Sequence, residues 1–219
     1  MHKTKVEKHF DLVAKNYDLY KEKNSFYYDN LKKLLKKEIP KDCIVFEVGC
    51  GTGELLASLD PRNGYGMDIS SEMVRLAKEK YKTDRHLHFS TQYPSSYFDY
   101  VFMSDVIEHL VYPEKVFRQI SKLMNQKSKF IVTMANPFWE PVLMLAEKMK
   151  LKMPEGPHKR IAFNDLKLII NSLGMKVVKH DYRLLVLVKI PLVTDFMNKY
   201  MEKYLKPLCF IEYFVIVKA

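Results

Sequence analysis

A strand, three glycines and the start of a helix follow one another in the stretch VFEVGCGTGELLASL, residues 45–59. The apolar run before the glycines predicts a parallel strand buried on both faces, and the leucines after Glu54 have helical spacing. Gly49, Gly51 and Gly53 would let the chain turn sharply and let a ligand approach the backbone. Because a helix N-terminus follows this turn, the stretch predicts a nucleotide-type pocket.

The spacing of the glycines discriminates between ligands. A dinucleotide fingerprint reads G-x-G-x-x-G, whereas here Glu54 stands at the third glycine position, where its charge would oppose a pyrophosphate. No Gly-Lys-Ser/Thr follows, which excludes a phosphate-binding P-loop. Glu47, two residues before the first glycine, is a carboxylate that suits a ligand carrying an ammonium group.

Further strands follow in a consistent order. GYGMDIS predicts a short strand that ends at Asp68, FDYVFMSDVIEHL predicts a strand over 99–104, and KFIVTMANP predicts a fifth strand. Ligands of open α/β sheets lie beyond the carboxyl ends of the strands. An acid at the end of the second strand, such as Asp68, can therefore bind ribose hydroxyls.

As a set, these motifs resemble class I S-adenosylmethionine-dependent methyltransferases over residues 10–182, most closely the small-molecule and quinone-biosynthesis enzymes. The resemblance implies a Rossmann-like α/β fold whose mainly parallel seven-stranded sheet has an antiparallel last strand and helices on both faces. It implies S-adenosylmethionine as the methyl donor and S-adenosylhomocysteine as the product. It also implies methyl transfer by in-line displacement, in which alignment of the reactants contributes most.

The resemblance assigns a cofactor site as well. Glu47 and the glycines would line the amino-acid end, Asp68 would bind the ribose and Ile69 would contact the adenine. Tyr17, in the helix before the glycines, would cover the cofactor, although amphipathic packing also explains this residue. The expected cofactor-binding residues are Tyr17, Glu47, Gly49, Cys50, Gly51, Thr52, Gly53, Asp68, Ile69, Met73, Ser90, Thr91, Ser104 and Asp105.

One position departs from the family pattern. Many relatives carry an Asp after the third strand that accepts a hydrogen bond from the adenine amino group. This chain has Ser90 and Thr91 in that neighbourhood and no carboxylate. A hydroxyl, an amide or a backbone carbonyl could accept the same bond.

The loop after the fourth strand, MSDVIEHL, carries candidate catalytic groups. Asp105, Glu108 and His109 resemble a trio that can hold a divalent cation, Mg²⁺ being the expected ion, in quinone-biosynthesis O-methyltransferases. In relatives without metal the Glu-His pair only fixes the loop. A general base is needed when the acceptor is a hydroxyl or an acidic carbon. His109 is the first candidate, because imidazole titrates near neutral pH, and His158 is the second.

We expect one domain, with an N-terminal helical cover over 1–40, a cofactor-binding half over 41–136 and a substrate-side half over 137–219. The last part holds two predicted inserted helices, near 138–153 and 191–208. The first could cover an apolar acceptor or pack in the core. The second has apolar residues on one helical stripe and lysines elsewhere. It could lie on an anionic membrane surface, cap the acceptor site, form a dimer contact or pack on the sheet.

Composition favours a small-molecule or lipid-like acceptor over nucleic acid. The net charge is +10, but most of the basic residues are lysines spread along the chain, without the arginine and aromatic clusters of nucleic-acid sites. The three cysteines have no metal or redox spacing, so we expect a cytoplasmic protein, in contact with a membrane surface if 191–208 binds lipid. RNA or protein methylation, and a non-catalytic cofactor-binding subunit or sensor, remain alternative functions.

Overall fold

The computed structural model describes residues 3–149, 156–159 and 161–219, and seven strands within them form one mixed sheet. The strand order is β3-β2-β1-β4-β5-β7-β6, and β7 runs antiparallel to both of its neighbours. This topology confirms the predicted fold class, including the antiparallel last strand. The strands are β1 Ile44–Val48, β2 Asn63–Met67, β3 Leu87–Ser90, β4 Phe98–Ser104, β5 Met124–Ala135, β6 Met175–Arg183 and β7 Ile211–Lys218.

Helices cover both faces of the sheet. Ser70 caps one of them, α5, by accepting a hydrogen bond from the Met73 amide at 3.1 Å. Short 3₁₀ turns lie at Ala14–Asn16, Ile107–His109, Pro137–Trp139 and Lys206–Leu208. The α-helices are α1 Lys5–Val13, α2 Tyr17–Lys23, α3 Ser25–Glu38, α4 Glu54–Ser58, α5 Ser71–Lys80, α6 Pro113–Lys122, α7 Glu140–Lys148, α8 Phe163–Ser172 and α9 Val193–Phe196.

Two apolar cores lie on opposite faces of the sheet. On one face, Leu31 and Leu35 of α3 share a core with Phe102 of β4. On the other face, Phe117 of α6 and Leu166 of α8 belong to a second core. Alternate residues of each central strand therefore pack to opposite faces, as expected of strands buried on both sides. The sheet holds the carboxyl ends of β1, β2 and β4 side by side.

The two inserted segments differ in structure from the predicted long helices. The first forms the 3₁₀ turn Pro137–Trp139 and α7, and residues 150–153 of the predicted helix lie outside the described residues. The second is not one helix over 191–208, because α9 passes into a single π-helical turn, Met197–Met201, and then into irregular structure. In the part of the chain that the structure describes, no helix has the length and apolarity needed to cross a bilayer.

Asn136, at the end of β5, fastens both inserted segments to the sheet. Its side-chain Nδ2 donates hydrogen bonds to the carbonyl oxygens of Pro207, at 2.9 Å, and Cys209, at 2.8 Å. Its Oδ1 accepts a hydrogen bond from the Phe138 amide at 3.0 Å. Because the Asn136 side chain is buried, water could not replace all of its hydrogen bonds to these backbone groups if it were removed.

We expect Asn136→Ala to lower the free energy of unfolding by about 1–3 kcal/mol, since it leaves buried backbone groups without partners. Urea denaturation measures this change. Asn171→Ala, at an exposed position of α8, is the matched control and should change stability by less than about 0.5 kcal/mol. Equal effects of the two variants would contradict the assigned role of Asn136.

Candidate functional site

The glycine turn between β1 and α4 has the conformation that its sequence requires. Gly49, Gly51 and Gly53 have φ values of +75°, +51° and +81°, which place them in the left-handed region. The amides of Gly49 and Cys50 both donate to the Met67 carbonyl, at 2.7 and 3.0 Å, which fixes the turn against the end of β2. Side chains other than glycine would be strained at these positions.

Asp68 lies against this turn, as its position after β2 predicts. Its carboxylate accepts hydrogen bonds from the Gly51 amide at 2.8 Å and the Ser70 amide at 2.9 Å. Burial raises the pKa of the Asp68 carboxyl, and the two amide donors oppose that shift. Each carboxylate oxygen keeps a second lone pair, so the group can still accept a hydroxyl hydrogen.

Glu47 is the buried acid of the site. Its side chain is 2% exposed, and it accepts a hydrogen bond from the Leu56 amide at 3.2 Å. Burial raises the pKa of Glu47 to about 8, although the positive charge of Lys21 and the Leu56 amide lower it. A cation brought beside this carboxyl would favour its ionised form.

The N-terminal helices cover the glycine turn. A Cβ atom on Gly51 would lie 2.9 Å from Cε1 of Tyr17, so the Tyr17 ring is in close contact with the loop. Asp18 accepts hydrogen bonds from the Thr52 hydroxyl at 2.5 Å and from the Lys80 ammonium at 2.8 Å. These contacts place Tyr17 over the loop, where the sequence predicts it.

Lys21 is a site residue that the sequence analysis missed. It is 6% exposed, and its ammonium lies over the rings of Tyr17 and Tyr28, 4.9 and 5.1 Å from their centroids. Its Nζ is 4.0 Å from a carboxylate oxygen of Glu54. Burial lowers the pKa of Lys21, while the negative charges of Glu47 and Glu54 oppose that shift. The i, i+4 spacing from Tyr17 places both side chains on one face of α2 and is the signal that was available.

A second group of polar side chains lies where β4 and β5 end. The Tyr27 hydroxyl donates to the Asp105 carboxylate, with its oxygen 2.7 and 2.9 Å from the two carboxylate oxygens. The Tyr27 ring packs edge-on against Phe210, with centroids 5.5 Å apart. Ser104 and Thr133 are register partners in β4 and β5, and their buried hydroxyl oxygens have no hydrogen-bond partner among the described residues.

The loop that carries Asp105 packs directly on the glycine turn. A Cβ atom on Gly49 would lie 2.3 Å from Cγ2 of Val106, which shows how closely the two segments approach. Asp105 itself has a positive φ of +55°, a conformation that is uncommon for a residue with a side chain. The polar groups at the end of β1 and those at the ends of β4 and β5 are therefore held by adjoining loops.

The two candidate histidines lie close to each other. The rings of His109 and His158 are 6.4 Å apart between centroids. His109 Nδ1 lies 3.1 Å from the Pro157 carbonyl oxygen, and His158 Nε2 lies 3.2 Å from a carboxylate oxygen of Glu140. Over residues 3–149, 156–159 and 161–219, no three histidine, cysteine, aspartate or glutamate side chains are arranged so that they could hold a metal ion. Asp105, Glu108 and His109 therefore do not form such a group.

The other expected cofactor residues line the same edge of the sheet. Ile69, 43% exposed, follows β2, and the buried Met73 lies in the first turn of α5. Ser90 ends β3 and Thr91 follows it, and both are exposed, with the Ser90 hydroxyl accepting a hydrogen bond from the Gln92 amide at 3.0 Å. The remaining loop residues, Cys50 and Thr52, are buried within the glycine turn. The structure thus brings together the residues that the motifs predicted separately.

Comparison with known families agrees with this geometry. The model of the methyltransferase domain family matches residues 19–180, which is most of the chain. The chain is 30% identical over 135 residues to the uncharacterised protein MJ1252 of Methanocaldococcus jannaschii, covering 60% of this chain and 52% of that protein. It is 28% identical over 120 residues to phosphoethanolamine N-methyltransferase 2 of Caenorhabditis elegans, covering 49% of this chain and 28% of that protein. The chain thus spans about half, or less, of these relatives.

Solved structures share the fold over nearly the whole chain. A chain complexed with the Trm112 methyltransferase activator of Haloferax volcanii matches with a TM-score of 0.71 and 19% identity, covering 95% of this chain and 97% of that chain. Magnesium protoporphyrin IX methyltransferase of Synechocystis PCC 6803, solved with bound S-adenosylhomocysteine, matches with a TM-score of 0.59 and 17% identity, covering 90% and 84%.

The pKa of Glu47 predicts how stability depends on pH. Its folded-state pKa, about 8, exceeds the ordinary value of 4.5, so the native state holds more protons between these pH values. The Glu47 contribution therefore destabilises the fold increasingly as pH rises through this range. We expect the stability of Glu47→Gln relative to wild type to rise from pH 5 to about 8 and then level off.

Urea denaturation at several pH values measures this difference. Glu79→Gln, at an exposed position, is the control and should show an offset that does not change with pH. A Glu47→Gln offset that is equally flat would contradict a raised pKa for Glu47.

Proposed function

The chain belongs to the class I S-adenosylmethionine-dependent methyltransferases, and from this we propose that it methylates a small-molecule or lipid-like acceptor at the ends of β4 and β5. The observation that carries the proposal is the Tyr27–Asp105 hydrogen bond, which holds a carboxylate just after the end of β4. A carboxylate held in this way can accept a hydrogen bond from a polar group of the acceptor.

The donor end of the site is complementary to S-adenosylmethionine in charge. Its amino-acid end carries an ammonium and a carboxylate, and we assign Glu47 to the first and Lys21 to the second. The left-handed glycines let the loop turn sharply after Glu47, and the turn brings the Gly51 amide against Asp68. When bound, the cofactor supplies a methyl group activated by a sulfonium.

The nucleoside end is assigned to groups along the next two strands. We assign Asp68 to the ribose hydroxyls and Ile69 to one face of the adenine. Ser90, at the end of β3, or Thr91, just after it, would accept the adenine amino hydrogen, since each offers a hydroxyl and a carbonyl. Tyr17 would cover the site from the N-terminal side, as its contact with the glycine loop supports.

On the acceptor side, Asp105 is the group best placed to orient a polar hydrogen of the substrate. Tyr27 holds its carboxylate in position, since the phenol oxygen lies 2.7 and 2.9 Å from the two carboxylate oxygens. Trp139 and Phe210, whose ring centroids are 6.0 Å apart, supply an apolar wall. If the acceptor is a hydroxyl or an acidic carbon, Asp105 can accept its proton as the methyl group is transferred.

His109 and His158 remain second candidates for a base. Their ring contacts with Pro157 and Glu140 fix the loop, which favours a positioning role for both. We assign no metal role to Asp105, Glu108 and His109, because the hydrogen bond from Tyr27 and the contact with Pro157 engage the first and the last with protein groups.

Cofactor binding can be tested through the proton balance at Glu47. We expect S-adenosylhomocysteine to bind with release of close to one proton at pH 7, because its ammonium favours ionised Glu47. The affinity for S-adenosylhomocysteine should therefore rise with pH up to about 8, the pKa of the Glu47 carboxyl in the ligand-free protein. Titration calorimetry in two buffers of different ionisation enthalpy measures the released proton.

Methylthioadenosine, which lacks the amino-acid end, is the matched control ligand and should bind without this proton release. Glu47→Gln should bind S-adenosylhomocysteine roughly tenfold or more weakly and with little pH dependence. Failure of wild type to bind would refute the cofactor site, and proton release retained in Glu47→Gln would refute the assignment of Glu47.

The acceptor assignment is tested by methyl transfer from labelled S-adenosylmethionine into a fractionated cell extract. We expect label in the small-molecule or lipid fraction. Tyr27→Phe keeps the ring contacts but leaves Asp105 without the phenol hydroxyl, and should lower kcat/KM for the acceptor roughly tenfold to hundredfold. Its dissociation constant for S-adenosylhomocysteine should stay near that of wild type.

Tyr97→Phe, at a 64% exposed tyrosine, is the control and should leave turnover unchanged. Label recovered in RNA or protein would instead support the alternative acceptor classes. Loss of cofactor binding in Tyr27→Phe would show that Tyr27 acts on the donor side.

A further inference from the structure

The segment after β6 turns its polar side chains toward the protein. The Thr194 hydroxyl donates to the Val188 carbonyl at 2.6 Å and accepts from the Ile190 amide at 2.8 Å. The Asn198 side chain bonds both backbone groups of Val186, accepting from the amide at 2.8 Å and donating to the carbonyl at 3.1 Å. Two consecutive turns of this segment are thus hydrogen-bonded to residues 186–190.

Glu202 extends the same arrangement by one more turn. Its carboxylate accepts from the Leu184 amide at 2.8 Å and pairs with the Arg183 guanidinium at 2.6 Å. Three side chains spaced four residues apart in the helical segment thus bond backbone groups along 184–190, which fixes the face of the helical segment that points inward.

The opposite face is apolar and points to solvent. Leu192 is 87% exposed, Phe196 55% and Tyr204 70%. This reverses the usual arrangement of a surface helix, in which the apolar stripe faces the core. We call these residues the outward face, and it consists of Val188, Ile190, Leu192, Val193, Phe196, Tyr200 and Tyr204.

Lysines accompany the outward face. The Lys199 ammonium lies 5.1 Å from the Tyr200 ring centroid, and the Lys203 ammonium lies 4.7 Å from that of Tyr204. Lys189 is also exposed, and Asp195 is the exposed acid of the same segment. Long lysine stems can lie along apolar surface while their charges stay in water. The outward face therefore combines exposed apolar side chains with a net positive charge.

We propose that the outward face docks on an anionic lipid bilayer. Lysine is depleted at protein–protein interfaces, whereas lysines flanking tyrosine and phenylalanine are typical of segments that lie in a membrane interface. Anionic headgroups complement Lys189, Lys199 and Lys203, and the apolar side chains reach the acyl boundary. Hydrogen bonds hold the polar side chains of this segment toward the protein. The outward face is therefore exposed before the protein meets a lipid.

The outward face adjoins the acceptor side of the site. The Trp139 indole donates to the Leu208 carbonyl at 3.0 Å, and Tyr27 packs against Phe210, so the end of the segment contacts the acceptor wall. Docking would bring the lipid surface beside the entry for the acceptor. This last step rests on the proposed function, whereas the docking itself does not.

Co-sedimentation with lipid vesicles tests the docking, using the full chain and vesicles of phosphatidylcholine with or without phosphatidylglycerol. We expect binding to the anionic vesicles and at least tenfold weaker binding to the neutral ones. The double variant Phe196→Glu, Tyr204→Glu should bind anionic vesicles at least tenfold more weakly. Lys199→Gln and Lys203→Gln should each weaken binding about fivefold.

Matched controls place the same changes elsewhere on the surface. Leu168→Glu with Tyr97→Glu alters two apolar side chains that are 68% and 64% exposed, and Lys127→Gln removes an exposed lysine distant in the chain. These controls should bind vesicles within about twofold of wild type, since membrane-facing charges act over roughly a Debye length of 10 Å. Equal loss in the controls would overturn the proposal.

Two other results would also overturn it. One is wild-type protein that stays in solution with anionic vesicles. The other is a wild-type dimer in analytical ultracentrifugation that Phe196→Glu, Tyr204→Glu dissociates, because the outward face would then be a protein interface. An unchanged melting temperature and unchanged S-adenosylhomocysteine affinity in that variant show that the fold and the cofactor site are intact, so the two proposals fail separately.

Discussion

The absence of Cβ atoms in the turn between β1 and α4 is the constraint on which most of the site depends. Three residues with left-handed backbone leave space that other segments occupy. Tyr17 approaches Gly51, Val106 approaches Gly49, and a Cβ atom on Gly53 would lie 2.6 Å from the ring of Phe89. The N-terminal helices, the loop after β4 and the end of β3 therefore all take their positions from one turn. A change in this turn would displace donor-side and acceptor-side groups together.

Burial of charge is the second constraint, and it follows from the first. The close packing removes water from Glu47, and an isolated buried carboxylate is costly unless it is neutralised or paired. Glu47 is neutralised by its raised pKa of about 8, which the charge of Lys21 lowers only in part. The burial of Lys21 is offset by two tyrosine rings and by Glu54, at the start of α4. The contact with Glu54 links the N-terminal cover electrostatically to the glycine turn, in addition to the contacts of Asp18.

The resemblance to class I methyltransferases implied the mainly parallel seven-stranded sheet and its antiparallel last strand, while local patterns located the glycine turn and Asp68. The meeting of Asp68 with Gly51 agrees with the rule that the carboxyl ends of parallel strands lie at one edge of the sheet. The burial of Lys21 was not predicted, because a lysine on an amphipathic helix ordinarily faces solvent and its partners are distant in the chain. In 191–208 the pattern located an apolar stripe but not its direction, which depends on the hydrogen bonds that Thr194, Asn198 and Glu202 make with residues 184–190.

The same contrast explains why the donor is easier to infer than the acceptor. The turn beside the proposed donor site needs left-handed backbone at three positions, and this backbone favours glycine. The spacing of the glycines is therefore visible in the sequence. The groups that we propose for the acceptor side come from separate segments: Tyr27 from α3, Asp105 from a loop and Phe210 from the position just before β7. No local spacing connects them, and only the sheet brings them together. Acceptor choice can therefore change through the N-terminal and inserted segments while the glycine turn, and with it the methyl donor, stays the same.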